Sequence, residues 1–309
     1  MGTYDTSDIP EHRRNNYLKI LKEFRLMDDS FMTKVFEDNI PCTEVVLRTI
    51  LNRSDLIVQS VQTQYTIKNL QGRSVRLDVH ALDRNGVKYD IEIQRASEHA
   101  GQKRARHNSS MMDANALQPG EDVEALPETY VIFITEKDVL GMNEPLYEIN
   151  RKINDTPVLF GDGSHIIYVN GAYQDESPLG CLMKDFFCKD PAQMKCKVLA
   201  ERVDYLKNSK EGVGKMCKLM DDLWLNGKEE GKEEGRKEGM KEGREEGMKE
   251  GREEGMKEGR EEGMKEGRKE GMKEIALSMI KKRLPFELIS ECTGLSVTEV
   301  EELSNPKTA

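Results

Sequence analysis

The sequence predicts an α/β layer protein followed by a charged tail, and three observations carry that prediction. Apolar residues at helical spacing give way to a period of two near Leu56, and helical spacing returns after Arg95. A run without polar interruption, Thr129–Thr135 (TYVIFIT), has the character of a strand buried on both faces. From Gly227 onward the composition collapses into glycine, methionine and charge.

Taken in order, residues 1–27 are a polar extension ending in an amphipathic piece with Tyr17, Leu18, Ile20, Leu21 and Phe24. Asp28-Asp29-Ser30 supplies helix-capping side chains ahead of Phe31–Phe36. Pro41 suits the first turn of a second helix, whose stripe is Val45, Val46, Ile50 and Leu51. Ile57–Ile67, Arg73–Asp83 and Val87–Arg95 alternate as three strands, with Gly72 and Asn85-Gly86 at the turns. Glu98–Leu117 reads as helix, Thr129–Thr135 and His165–Asn170 as strands, and 176–226 as helical. Residues 28–226 thus form one predicted domain, ordered helix, three-strand meander, helix, strand.

The net charge of −10 divides as −6 before the repeat, −3 within 228–274 and −1 after it. No region is strongly basic, which excludes a protein that coats nucleic acid by charge alone. No apolar run reaches about 18 residues and no secretory pattern opens the chain, so a cytoplasmic protein without a membrane partner is expected. The six cysteines form no CxxC pair and read as reduced thiols.

The segment richest in chemistry is Arg73–Arg95. Alternation puts Val75, Leu77, Val79 and Ala81 on one face of the first strand and Arg76, Asp78 and His80 on the other. In the next strand Ile91 and Ile93 point one way, Asp90, Glu92 and Gln94 the other. A two-residue Asn-Gly turn would set apolar against polar along the whole hairpin. A three-residue loop, Arg84-Asn85-Gly86 with Gly86 left-handed, pairs Asp83 with Val87 and Asp78 with Glu92, and only this register keeps one face apolar. Like charges directly opposed destabilise a hairpin. Two readings follow: a divalent cation held by both carboxylates, or a solvated face on which Arg76, Arg95 or Lys88 neutralises them.

Four segments in sequence, DDSFMTKVF (Asp28–Phe36), SVRLDVHALDRNGVKYDIEIQR (Ser74–Arg95), KRARHNSSMMDA (Lys103–Ala114) and YVIFIT (Tyr130–Thr135), resemble the PD-(D/E)XK nucleases. The resemblance spans roughly 28–175 and is to the Rpn branch of recombination-promoting nucleases and transposases. It implies a restriction-endonuclease-like core and a DNA endonuclease that hydrolyses phosphodiester bonds with Mg²⁺ or another divalent cation. Asp78 and Glu92 would hold the metal. Asp29, in the family's Asp-x-x-Phe element, is a further candidate ligand. Gln94 would be the third catalytic residue, standing where the superfamily more often has lysine; it can orient water but supplies neither a base nor positive charge. Leu77, not proline, precedes Asp78. Lys103, Arg104, Arg106 and His107 would contact DNA, with His107 where similar proteins carry an aromatic. His80, beside Asp78, is a candidate helper. Gln94 also leaves open a catalytically degenerate nuclease fold that serves as a nucleic-acid-binding or assembly module.

Within 227–274, glycine recurs every fourth residue and Met every eighth from Met240 to Met272. Four residues advance a helix by about 40° beyond one turn, so no apolar stripe forms and a heptad coiled coil is excluded. Lys241, Glu245, Lys249 and Glu253 begin a series of alternating charges that supports a lone helix. Twelve glycines oppose it at roughly 1 kcal/mol each. A fraying helix or disordered spacer is the expectation. Residues 275–309 regain helical spacing, with Ser296-Val297-Thr298-Glu299 as a capping box. The acids Glu299, Glu301 and Glu302 exclude groove reading by the last helix, leaving homo-oligomerisation as the expected use of this segment.

Overall fold

The computed structural model describes residues 9–69 and 72–304. It divides into two compact units, Met1–Leu225 and Asn226–Ala309. In the first unit, helices α1 (Glu11–Glu23), α2 (Asp29–Phe36) and α3 (Ile40–Leu51) precede strands β1 (Val58–Ile67), β2 (Val75–Asp83) and β3 (Lys88–Gln94). Then come α4 (Gln102–Ala114), β4 (Thr129–Thr135), β5 (Leu146–Ile149), β6 (Ser164–Asn170), α5 (Pro178–Phe187), α6 (Lys197–Asn208) and the start of α7 (Lys210–Lys281).

Helix α3 begins as its sequence suggests: the Asn39 side chain accepts from the Cys42 N–H at 3.0 Å and Pro41 occupies the first turn. At α2 the Asp28 carboxylate instead turns back to the Arg25 N–H (2.7 Å), so that helix has no side-chain cap. The helix expected over Glu98–Leu117 is shorter. A 3-10 turn, Ser97–Ala100, precedes α4, and the extended backbone of Gly101 separates the two. Strand β5 was not expected, because its four residues, LYEI, are too few for alternation to register.

The six strands lie in the order β1-β2-β3-β4-β6-β5. The β1-β2-β3 meander is antiparallel, whereas β3, β4 and β6 run parallel. Parallel neighbours need a crossover, and α4 supplies it between β3 and β4, which lays α4 over one face of the sheet. That face buries a smaller core, with Ala105, Met111 and Met112 of α4 against Val131, Phe133 and Tyr168. The larger core gathers Ile91, Ile93, Ile132, Ile134 and Val169 against α1–α3, α5 and α6.

The β2–β3 loop takes the three-residue form. The Asp83 N–H donates to the Val87 carbonyl (3.0 Å), Gly86 has φ +84°, and Val79, His80, Ala81 and Leu82 pair with Ile91, Asp90, Tyr89 and Lys88. Buried Asp83 fixes the turn by accepting from the Asn85 and Val87 N–H groups at 2.8 and 2.9 Å.

The expected single face of β2 needs correction. Val79 and Ala81 belong to the larger core, but Val75 and Leu77 pack in the smaller one. The switch falls at Asp78, with Leu77, Asp78 and Val79 all buried in succession. Opposite it the β1–β2 ladder skips from Thr63–Val79 to Tyr65–Leu77, and Gln64 adopts φ +53°. Its side chain donates to Thr33 Oγ1 of α2 at 3.2 Å. A left-handed non-glycine residue is strained, and here the strain accompanies a local change of face at a carboxylate.

In the second unit, α7 continues through the repeat, every residue from Asn226 to Gly267 is exposed, and Lys237 pairs with Glu233 at 2.7 Å. Helices α8 (Phe286–Thr293) and α9 (Val297–Ser304) close a small core of Ala276, Ile289, Leu295 and Val300. Ser296 and Glu299 form the reciprocal cap, Ser296 N–H to Oε2 at 2.9 Å and Glu299 N–H to Oγ at 3.3 Å.

Two expectations follow. Gln64→Val, which places a β-branched residue in the left-handed region, destabilises the protein by about 1–3 kcal/mol, whereas Gln64→Gly stays within about 1 kcal/mol of the parent; urea unfolding reads both. A Cβ at Gly243, Gly247, Gly251 or Gly255 meets no neighbour within 4 Å. Alanine at these sites therefore strengthens hydrogen-exchange protection of the repeat by up to about 1 kcal/mol per substitution.

Candidate active site

The β2–β3 ladder ends at Val79–Ile91, one pair short of Asp78 and Glu92. Beyond it the carboxylates take over the main-chain groups. Glu92 Oε1 accepts from the Asp78 N–H at 3.4 Å, and Asp78 Oδ2 accepts from the Ile93 N–H at 3.2 Å. The two acids thus lie together at the point where the strands part. Gln94 Nε2 donates to Asp78 Oδ2 and to Glu92 Oε2, both at 3.2 Å. All three residues assigned to the centre from the sequence therefore meet.

Helix α4 closes the site from above. Arg104 Nη2 pairs with Glu92 Oε2 at 2.5 Å, and Asn108 Nδ2 donates to Asp90 Oδ2 at 3.0 Å and to Glu92 Oε1 at 3.3 Å. Asp90 and Glu92 are both fully buried and Asp78 is 8 % exposed. Burial, with Glu92 beside it, pushes the Asp78 carboxyl up to about 7. Burial likewise raises Asp90 well above the carboxylate range, with Glu92 the next cause, and raises Glu92 against the opposing pull of Arg104. Asp90 Oδ1 has no hydrogen-bond partner among the described residues. Three acids lie together with, among the described residues, a single guanidinium in ion-pair contact.

Of the cations expected to neutralise the acids on a merely solvated face, none does so. Arg95 pairs with Asp28 at 2.9 Å and Glu136 at 3.1 Å. Neither Arg76 nor Lys88 is in ion-pair contact with Asp78 or Glu92, and Arg104 was the residue to find.

Two adjoining clefts open onto Asp78, of about 700 and 340 Å³, and share Arg76, Asp78, His99 and Arg104. The larger is lined also by Arg73, Lys103, His107 and Asn108, and the smaller by Asp29 and Gln94. Asp29 lies near enough to raise the Asp78 carboxyl further, and its own carboxylate has no hydrogen bond or ion pair among the described residues. No three acidic, histidine or cysteine side chains among the described residues converge as a ready metal cluster. The carboxylate pair, not a triad, is the candidate centre. Arg106 is exposed and lines neither cleft. His80 is half-buried, stacks on Tyr65 at 4.8 Å, and has its imidazole pushed down to about 4 by desolvation and by Lys88.

Residues 44–170 match the family model of the PD-(D/E)XK nuclease family transposases. The match covers less than half of the chain and is a similarity of that segment. No curated protein and no solved structure matches the chain. The PD-(D/E)XK segment holds the whole sheet, α4, both acids, Gln94 and the clustered cations, whereas Asp29 on α2 lies outside it. Arg73, Asp90, His99 and Asn108 were missed from sequence. For Asn108 a signal existed: it follows Arg104 by four residues, and so shares its helix face. Asp90 precedes Glu92 by two, and so shares its strand face. No helix of the described residues is long and apolar enough to cross a membrane.

The raised Asp78 carboxyl has a consequence for stability. An acid whose pKa is higher folded than unfolded costs nothing below about pH 4, and its cost grows until it is complete above pH 7. Asp78→Asn, which keeps an oxygen acceptor for the Ile93 N–H, therefore melts higher than the parent at pH 8, by about 2–4 °C per kcal/mol of repulsion removed. At pH 4 the two melt together. Thermal unfolding across that range checks both the sign and the window.

Proposed function

We propose that this chain is a divalent-metal-dependent DNA endonuclease of the recombination-promoting type. The observation that carries the reading is the Asp78–Glu92 pair, buried together beside a cleft with arginines on its walls. The donor set fits a hard cation. Its carboxyl oxygens are crowded, and burial and mutual repulsion disfavour their ionised forms, so a bound cation would relieve what the site lacks. Asp78 and Glu92 would hold Mg²⁺, with Asp29 a candidate at the cleft mouth.

A bound divalent cation lowers the pKa of water and takes up charge on a phosphate oxygen. The protein's own residues do the rest. Gln94, already donating to both acids, orients the attacking water by its amide and leaves the proton to solvent or to a phosphate oxygen. Arg104 holds Glu92 and faces the cleft. Arg73, Arg76 and Lys103 bind the sugar–phosphate backbone, since they are the cations that line the larger cleft beside Arg104. The exposed Ile275, Leu277 and Leu288 of the C-terminal helices support self-association there.

A second reading, a silent nuclease fold used for binding, is favoured by the absence of a lysine at position 94 and by the hold of Arg104 on Glu92. Plasmid nicking separates the two. The parent nicks supercoiled DNA with Mg²⁺ and not with EDTA, and Asp78→Ala and Glu92→Ala reduce nicking to background. Arg76→Ala weakens DNA binding and makes the salt dependence shallower by about one unit of slope. Metal-independent nicking, or nicking by both alanine variants at the parent's level, sinks the endonuclease reading.

A further inference from the structure

We infer that Asn108 is a positioning residue for the metal-binding carboxylates, one neutral amide that holds Glu92 and Asp90 side by side; the inference rests on the nuclease reading above. Asn108 is 3 % exposed, on the inner face of α4, and its Nδ2 reaches Asp90 Oδ2 at 3.0 Å and Glu92 Oε1 at 3.3 Å. Asp90 and Glu92 are alternate residues of β3, so their side chains leave the same face of the strand, and both are wholly buried.

The choice of residue is informative. The neighbours of Asn108 on α4 are Ala105, Met111 and Met112, members of an apolar core in which a leucine or methionine would pack. An apolar side chain would leave oxygens of both acids with one fewer donor. A lysine or arginine would serve both acids but would occupy, with its own charge, the place of a cation. A primary amide provides two protons and no net charge, one for each carboxyl. Glu92 is then gripped at both oxygens, Oε1 by Asn108 and the Asp78 N–H, Oε2 by Arg104 and Gln94. Held at Oε1 by Asn108 and the Asp78 N–H, the carboxylate keeps one orientation, and Oε2, where Gln94 would yield its place, is the oxygen it offers a metal; outer partners of this kind set the affinity of the inner ones.

The test is Mn²⁺ binding by titration calorimetry on the full chain, with thermal melting and plasmid nicking alongside. Asn108→Asp preserves the size of the side chain but replaces the donor by an acceptor. It lowers Mn²⁺ affinity by roughly 10–100-fold. The exchange variant Asp90→Asn/Asn108→Asp puts the amide on β3, where it donates to position 108 and to Glu92, and recovers most of the lost affinity. A packing role alone would alter the melting temperature of Asn108→Asp and leave its Mn²⁺ affinity unmoved.

Parent-like Mn²⁺ binding by Asn108→Asp, or no recovery in the exchange variant, overturns the inference while leaving the nuclease reading intact. If Asn108→Asp does not fold, the exchange variant decides. Folding with near-parent affinity supports the inference; failure to fold or to bind overturns it. A parent protein that neither binds Mn²⁺ nor nicks DNA removes the nuclease reading, and the inference with it.

Discussion

Two carboxylates forced into one dry space are the constraint on which the rest of the first unit turns. Asp78 and Glu92 meet where the β2–β3 ladder stops, and each satisfies a main-chain N–H left over by the parting strands. Charge repulsion in such a place is normally relieved by an ion pair. Here only Glu92 has one, with Arg104, and Asp78 has none among the described residues. The fold keeps the repulsion and surrounds it with neutral amides, Gln94 and Asn108, and with arginines set back along the cleft. That arrangement is costly for stability and well suited to a cation.

The position of the pair was legible because register is a matter of burial. Only the three-residue loop kept Ile91 and Ile93 on one side with Val79, so Asp78 had to face Glu92. What could not be read was the switch of face at Asp78. Alternation assumes an unbroken pleat, and the left-handed Gln64 on the neighbouring strand breaks it. Nothing in Thr63-Gln64-Tyr65 announces such a break, since the usual glycine is absent. Asn108 and Asp90 were overlooked for a different reason. Periodicity placed each on the right face, with Arg104 and with Glu92, but their contact joins a helix to a strand, which periodicity within either element does not record. Arg76 was noticed only as a neutraliser, whereas the structure sets it on a cleft wall.

The family segment, residues 44–170, supplies the sheet and the helix above it, but not the whole layer beneath. Helices α1, α2, α5 and α6 complete the larger core with Leu21, Phe31, Phe186 and Leu199. Through Gln64 and Thr33, α2 is tied to the left-handed residue opposite Asp78, so material outside the matched segment bears on the geometry of the pair. The glycine-rich repeat stands apart from this logic. It is an exposed helix whose recurrent apolar side chain, Met, lies about 69 % exposed from Met240 to Met256, and Lys237 pairs along it with Glu233.

The most direct test is anomalous diffraction from crystals grown with Mn²⁺. The account requires a single strong peak within bonding distance of carboxylate oxygens from both residue 78 and residue 92, on the cleft side of β2 and β3. Saturating Mn²⁺ with no peak there, or with the ion held elsewhere and the two acids still bridged by Gln94, would contradict it.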